Sequence, residues 1–195
     1  MSLMYEIHES LRYIKDEWKF QNNESDYQTN FMYSCDTVEE VRQKSAQYNV
    51  DFNYAIHRWY NYMCSYFHED FFIKYGAERE RNCYHKTIDF FLFEVPFDLK
   101  TSVFPAAIKD RTNYDLSKRE GKNNLIRWLY ENQSKQGRFH LANRLFIVCE
   151  TLSHKSDFEQ VERKIKSFVD YSKTNGFNRI QIKDKIVSSD IIYIQ

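Results

Sequence analysis

Two aspartates and a lysine fall where the chain reads as a β-hairpin, and together they suit phosphodiester hydrolysis. Asp89 lies in Thr87–Phe93 (TIDFFLF), and Asp98 and Lys100 lie in Phe97–Phe104 (FDLKTSVF). Both segments are short, apolar and β-prone. Glu94-Val95-Pro96 between them leaves no room for a helix, which is a hairpin signal even without an Asn-Gly turn. Alternate side chains of a strand share a face, so Phe97 and Leu99 are expected toward the core, with Asp98 and Lys100 together on the other side. A register that sets Asp89 opposite Asp98, or opposite Lys100, puts all three on one face. A one-residue slip puts Asp89 on the wrong face.

Two neighbouring carboxylates repel unless a cation or a proton sits between them. Hard divalent cations such as magnesium prefer such oxygen ligands. A cation held there polarises a phosphoryl oxygen and acidifies water. An ammonium alongside can orient that water or offset charge developing on the phosphate. The pattern acid-x-Lys also occurs at Glu17-Trp18-Lys19, Glu120-Gly121-Lys122 and Glu162-Arg163-Lys164. Only Asp98-Leu99-Lys100 combines a strand context with an upstream acid between apolar neighbours. The plain alternative is a hairpin whose outer face carries an ordinary Asp–Lys pair. An acid inside TIDFFLF is harder to explain that way, because Asp is disfavoured in strands.

Residues 85–105 (HKTIDFFLFEVPFDLKTSVFP) resemble the signature of the PD-(D/E)XK restriction-endonuclease-like superfamily, an Asp on one strand and Asp/Glu-x-Lys on the next. The resemblance implies an α/β, restriction-endonuclease-like fold, a mixed central sheet flanked by helices. It implies Asp89 and Asp98 as metal-ligating acids, the Leu99 carbonyl as a further ligand, and Lys100 as the catalytic lysine, with Mg2+ or Mn2+ as cofactor. A Glu on the preceding helix often completes such sites. Glu69 is the candidate, with Glu78 and Glu80 as rivals. Gln133 and Gln136 are candidates for the polar residue on the following helix. Ile88 replaces the family's frequent, though variable, Pro. The motif covers about 20 residues and the element order extends the likeness over residues 52–150.

The elements that must position these residues can be read along the chain. A short helix is expected around Ser10–Phe20 and a loop over Gln21–Thr29. Thr37-Val38-Glu39-Glu40 matches a capping box, with helix to Gln47. Ile56, Trp59, Tyr60, Met63, Tyr66 and Phe67 recur at helical spacing within Phe52–Phe72. After the hairpin come an irregular stretch over Ala106–Arg119 and a helix over Gly121–Gln136. Arg144–Glu150 (RLFIVCE) reads as a central strand. A helix over Ser156–Thr174 should turn Phe158, Val161, Ile165, Phe168 and Val169 inward and end at Gly176. Arg179–Ile182 and Asp190–Ile194 read as two short strands. The 195 residues are read as a single nuclease-like domain, with 1–35 as an N-terminal extension.

Other motifs carry less. His68-Glu69-Asp70 has ligand-type residues, but neighbours on a helix point in different directions. His85 stands close to Asp89 in sequence. Cys35, Cys64, Cys83 and Cys149 are scattered, without a C-x-x-C pair, and fit reduced thiols in a cytoplasmic protein. There is no apolar run of membrane-spanning length. Net charge is zero but uneven: residues 1–104 carry −6 and residues 105–195 carry +6. Within 105–145, 9 basic residues face 4 acidic ones, so some of Lys118, Arg119, Lys122, Arg127, Lys135 and Arg138 are expected to give a locally basic surface. The expected function is metal-dependent phosphodiester hydrolysis with DNA as the first partner. The alternatives are a catalytically inactive relative that binds nucleic acid or protein, and an interaction protein whose hairpin acids do nothing. A homodimer or protein partner stays open.

Overall fold

The computed structural model describes residues 2–14, 23–82, 85, 87–132 and 141–195. Contacts divide the chain into two compact units, Met1–Phe67 and His68–Gln195.

The first unit is helical. Its elements are α1 (Leu3–Ser10), α2 (Asn23–Gln28), a 3-10 turn at Asn30–Ser34, α3 (Val38–Gln47) and most of α4 (Phe52–Lys74). The capping box is present: Thr37 Oγ1 accepts from the Glu40 N–H, and the Glu40 carboxylate accepts from the Thr37 N–H. Glu6 adds a second anchor by accepting from the Val38 N–H at 3.0 Å. Trp59 is fully buried and donates its indole N–H to the Cys35 carbonyl. A helix not expected from the sequence covers Leu3–Ser10, and of the helix expected around Ser10–Phe20 the described part, 11–13, is a turn, while 15–20 lie outside the described residues. One expectation changes here. Asn23–Gln28 is helical rather than a loop: Glu24 and Asp26 stand in its first turn, where the helix dipole favours negative charge.

The second unit takes the last residues of α4 and a six-stranded mixed sheet of order β1-β2-β3-β4-β6-β5. The strands are β1 (Glu78–Arg79), β2 (Phe90–Leu92), β3 (Val95–Val103), β4 (Arg144–Cys149), β5 (Arg179–Ile182) and β6 (Lys185–Ile194). The helices are α5 (Arg119–Asn132) and α6 (Phe158–Asn175). The fold is thus mixed α/β, with helices flanking the sheet. β2 and β3 form the expected antiparallel hairpin, while β3–β4 and β4–β6 pair in parallel. The hairpin turn falls earlier than expected, at Phe93-Glu94, and both residues have positive φ (50° and 65°). That is the twist of a two-residue hairpin turn, built here without glycine. Pro96 therefore lies within β3. It precedes the first residue paired with β4, so its missing N–H interrupts no bond of that ladder.

Both faces of the sheet are covered. On one, Leu125, Ile126, Leu129 and Tyr130 of α5 join Phe146, Val148 and Ile191 in a core. On the other, Phe72 stacks on Phe90 at 4.8 Å and Phe177 meets Phe97 edge-on at 4.8 Å. Gly121 allows the preceding loop to pass close to α5, since a Cβ there would meet the Asp115 carbonyl oxygen at 2.1 Å. α6 buries Phe158, Val161, Ile165, Val169 and Ser172. Phe168, expected in that stripe, is only half-buried on its flank, because it falls one step round the helix from Ile165 and Val169. Ile165→Ala is therefore expected to lower stability by roughly 2–5 kcal/mol. Phe168→Ala should lower it clearly less than the 3–5 kcal/mol typical of a fully buried ring. Urea unfolding of the two variants checks the ranking.

Candidate functional site

The site begins where β2 stops. The register runs from Leu92↔Val95 to Phe90↔Phe97, and Asp89 follows just past its end, near the Asp98 carboxylate. Asp89 does not continue the regular ladder. It bends off the end of β2, its N–H donates to the Phe97 carbonyl at 2.8 Å, and its carbonyl accepts from the Glu80 N–H at 3.0 Å. Its carboxylate accepts the Leu99 N–H at 2.6 Å, so the side chain replaces the missing strand partner. Burial raises the Asp89 pKa above the usual carboxylate value. The Leu99 N–H and the Lys100 ammonium act against that rise, and the Asp98 carboxylate beside it adds to it.

Asp98 and Lys100, two residues apart on β3, share a face, and Lys100 Nζ donates to Asp98 Oδ1. The second Asp98 oxygen accepts from Arg144 Nε at 2.9 Å. Arg144 opposes Asp98 across the parallel β3–β4 pair and packs its guanidinium 5.0 Å from the Tyr130 ring centroid. Asp98 was expected on an outer face, yet it is more buried than Leu99, because α5 covers that side of the sheet. The two cations differ sharply: the Arg144 side chain is 8% exposed and that of Lys100 43%.

Glu69 approaches from α4. It is paired with Arg79 at 3.4 Å, and its pKa is raised by burial, against Arg79, with Asp89 and Asp70 adding to the rise. Asp70 holds the other end of the same guanidinium. Glu78 is exposed on β1, and Glu80 takes part mainly through its backbone at Asp89. His85 is exposed, and its Nδ1 accepts from the Thr87 N–H at 3.4 Å. Gln133 and Gln136 lie outside the described residues, as do Lys135 and Arg138 of the expected basic surface and Cys83. Of the rest of that surface, Lys118 is paired with Asp115 and Arg119 with Asp190. Lys122 donates to the Ile191 carbonyl, and Arg127 donates to Asn124.

Two residues that the motif did not include matter here. Arg144 is the first residue of the run read from the sequence as a central strand. Its signal was a charged residue opening an otherwise continuous apolar strand. Asn143 brackets three strands: its carbonyl accepts from the Asp98 N–H, its Nδ2 donates to the Pro96 carbonyl, and its Oδ1 accepts from the Ser188 N–H. His68 is a strut and not a ligand. It is fully buried, with Nδ1 3.0 Å from Thr101 Oγ1 and Nε2 2.8 Å from the Lys155 carbonyl. A carbonyl only accepts, so Nε2 carries the proton and Nδ1 accepts from the threonine.

Among the described residues, no three His, Cys, Asp or Glu side chains are grouped to hold a metal ion. The acids come as the pair Asp89 and Asp98, with Glu69 beside Asp89. The chemistry of that pair is hard oxygen donation, and the Leu99 backbone is tied to it through its N–H. No family model matches the chain, and no curated protein or solved structure does either. No helix among the described residues is long and apolar enough to cross a membrane.

Two outcomes follow from this geometry. Arg144→Met leaves a buried carboxylate with one partner and is expected to cost roughly 3–5 kcal/mol. Combined with Asp98→Asn, it should cost less than the two single changes together, and a double-mutant cycle by urea unfolding reads the coupling. His68 titrates at about 4 in the fold because burial disfavours its charged form, against the ordinary 6.5. The unfolded chain therefore binds the extra proton between those values. The stabilisation is whole above pH 6.5 and is lost as pH falls toward 4, by roughly 3 kcal/mol in all. His68→Gln should flatten that slope in stability measured across the same range.

Proposed function

We propose that the chain is a divalent-metal-dependent phosphodiesterase, a DNA endonuclease of the PD-(D/E)XK type with a restriction-endonuclease-like sheet. The observation that carries the reading is the meeting of Asp89 with Asp98-Leu99-Lys100 at the open end of the hairpin. The element order supports it: a helix bearing Glu69, a hairpin, a helix, then a strand parallel to β3. Asp89, Asp98 and the Leu99 carbonyl are the groups that would hold Mg2+ or Mn2+. When bound, such a cation supplies Lewis acidity toward the phosphate and acidifies the attacking water. Lys100 is the half-exposed member of the group. Its ammonium can leave Asp98 for a phosphate oxygen and offset the charge that develops there. Glu69, next to Asp89, adds negative charge on the α4 side and is itself held by Arg79. Arg144 stays with Asp98 and keeps that carboxylate aimed along the face it shares with Lys100.

One observation favours a second reading, a catalytically inactive relative that binds nucleic acid or protein. Both oxygens of Asp98 are already taken by cations, one of them buried. An acid so neutralised can serve as a structural tie alone.

Calorimetric titration with manganese, paired with cleavage of plasmid and single-stranded DNA, separates the two. The wild type is expected to bind manganese and to cleave. Asp98→Asn removes a ligand charge and should weaken metal binding and abolish cleavage. Lys100→Ala should keep or strengthen metal binding, since an ammonium is no ligand and competes for Asp98, and should still abolish cleavage. A wild type that binds no divalent ion, even with nucleic acid present, overturns the metallonuclease reading. Metal binding with no cleavage of DNA favours the inactive relative.

A further inference from the structure

Among the described residues β5 pairs with Lys185–Ser188 alone, so there the second half of β6 has one strand neighbour, β4, and a free edge. Along that edge runs a groove of about 700 Å³ between the start of α5, the loop before it and the outer side of α6. The volume lies in the range of small-molecule sites, roughly 300–1,000 Å³. Arg119, Lys122 and Lys164 line it, facing one carboxylate, Asp190. Arg111 and Asp115 also line it, but Glu150 neutralises the first and Lys118 the second. The side chains of the wall therefore keep an excess of two positive charges. The crowding is felt at Lys122, whose pKa is lowered by burial first, raised by Asp190, and lowered further by Arg119 and Lys164. Like charges gathered in a half-buried groove repel, and an anion relieves that repulsion.

The edge itself narrows the choice of anion. A peptide strand adding to β6 needs the free N–H and C=O of Ile191. The N–H already donates to Asp190 Oδ1, and the carbonyl accepts from Lys122 Nζ, each at 2.8 Å. The side chains thus block strand addition, as edge strands are often protected. Lys122 has further donors to offer, and Lys164 on the opposite wall is exposed. Tyr114 and Tyr171 add aromatic surface beside the cations, of the kind on which a flat ring can rest.

We infer that the groove along the free half of β6 binds the phosphate of a small phosphate monoester of nucleotide size. The phosphate lies between Lys122 and Lys164, with Arg119 behind them, and the organic part extends toward the tyrosines. The site is separate from the hairpin acids and does not depend on their chemistry.

Calorimetry of the full chain with AMP, ribose 5-phosphate, inorganic phosphate and adenosine, in dilute buffer with a chelator, tests this. AMP is expected to bind and adenosine, which lacks the phosphate, is not. Ribose 5-phosphate and inorganic phosphate should bind more weakly than AMP, which shows what the ring adds. Lys164→Ala, an exposed change, should weaken AMP by about tenfold, the worth of one charge-assisted hydrogen bond. Lys122→Met should weaken it at least as much. Lys100→Ala, at a half-exposed hairpin position whose side chain can leave without disturbing the sheet, should leave AMP affinity unchanged, whatever it does to nuclease activity. The inference fails if none of the phosphates binds, or if both lysine variants bind AMP like the wild type. It also fails if Lys100→Ala abolishes AMP binding, or if an oligonucleotide with hydroxyl ends binds better than AMP.

Discussion

Asp98 and Arg144 oppose each other on neighbouring parallel strands, and both are almost out of water. Either charge left alone in that position would carry a desolvation penalty of several kcal/mol. The pair can form in one register of β3 on β4 only. A one-residue slip would turn Arg144 to the face where Leu99 and Thr101 lie. This matters because β4 is buried at all six positions and has no apolar–polar alternation of its own to select a face. The ion pair supplies that selection, and Asn143, one residue earlier, ties β3 and β6 to the same place. Once β4 is set, β6 follows in parallel, and α5 is bound to the combined surface through Tyr130 and its apolar stripe.

The hairpin end inherits its geometry from the same constraint. β3 runs on beyond the reach of β2 because β4 continues to pair with it on the other side. The outer edge of β3 then has no strand partner among the described residues from Leu99 onward. Asp89 meets that need with a side chain, accepting the Leu99 N–H. A carboxylate used this way lies close to the next acid on β3, and the repulsion between the two is offset by Lys100. The acids of the candidate site thus stand together because the sheet changes from antiparallel to parallel pairing at β3.

The parts of this fold that were legible in the sequence are those set by local rules. The capping box at Thr37 and Glu40 is a contact between residues three apart. The stripe of α6 repeats at helical spacing, and Gly176, with φ of 71°, stops that helix as glycine can. The hairpin was legible from two apolar runs too close together for a helix. Its turn was misplaced, since Phe93-Glu94 carries none of the residues that usually adopt positive φ. α2 was missed because Asn23–Gln28 buries nothing, so no periodicity marks it. β1 was missed because two exposed residues, Glu78 and Arg79, have no pattern, and only pairing with β2 makes them a strand. At the site, Asp89, Asp98 and Lys100 stood out by spacing. Arg144 and Asn143 did not, because their roles depend on a parallel pairing across more than forty residues, which no local signal carries.

The two cations on Asp98 divide the tasks that one could not perform. Arg144 is buried, planar and stacked near Tyr130, so moving it would expose a charged hole between two strands. Lys100 is nearly half exposed, on a flexible stem, and its ammonium can reach water without disturbing the sheet. Of the two Asp98 oxygens, only Oδ1 can therefore change partners at low cost. In the proposed reaction Lys100 would be the exchangeable partner: its ammonium neutralises Asp98 and could give up that oxygen, while Arg144 would keep the other. An arginine at position 100 would keep the charge but would tend to hold Oδ1 in a fixed fork. A neutral residue there would leave Asp89 and Asp98 repelling each other, with only Arg144 to offset them. The acid-x-Lys spacing thus lets a buried carboxylate be part of the sheet while one of its oxygens stays available at the surface.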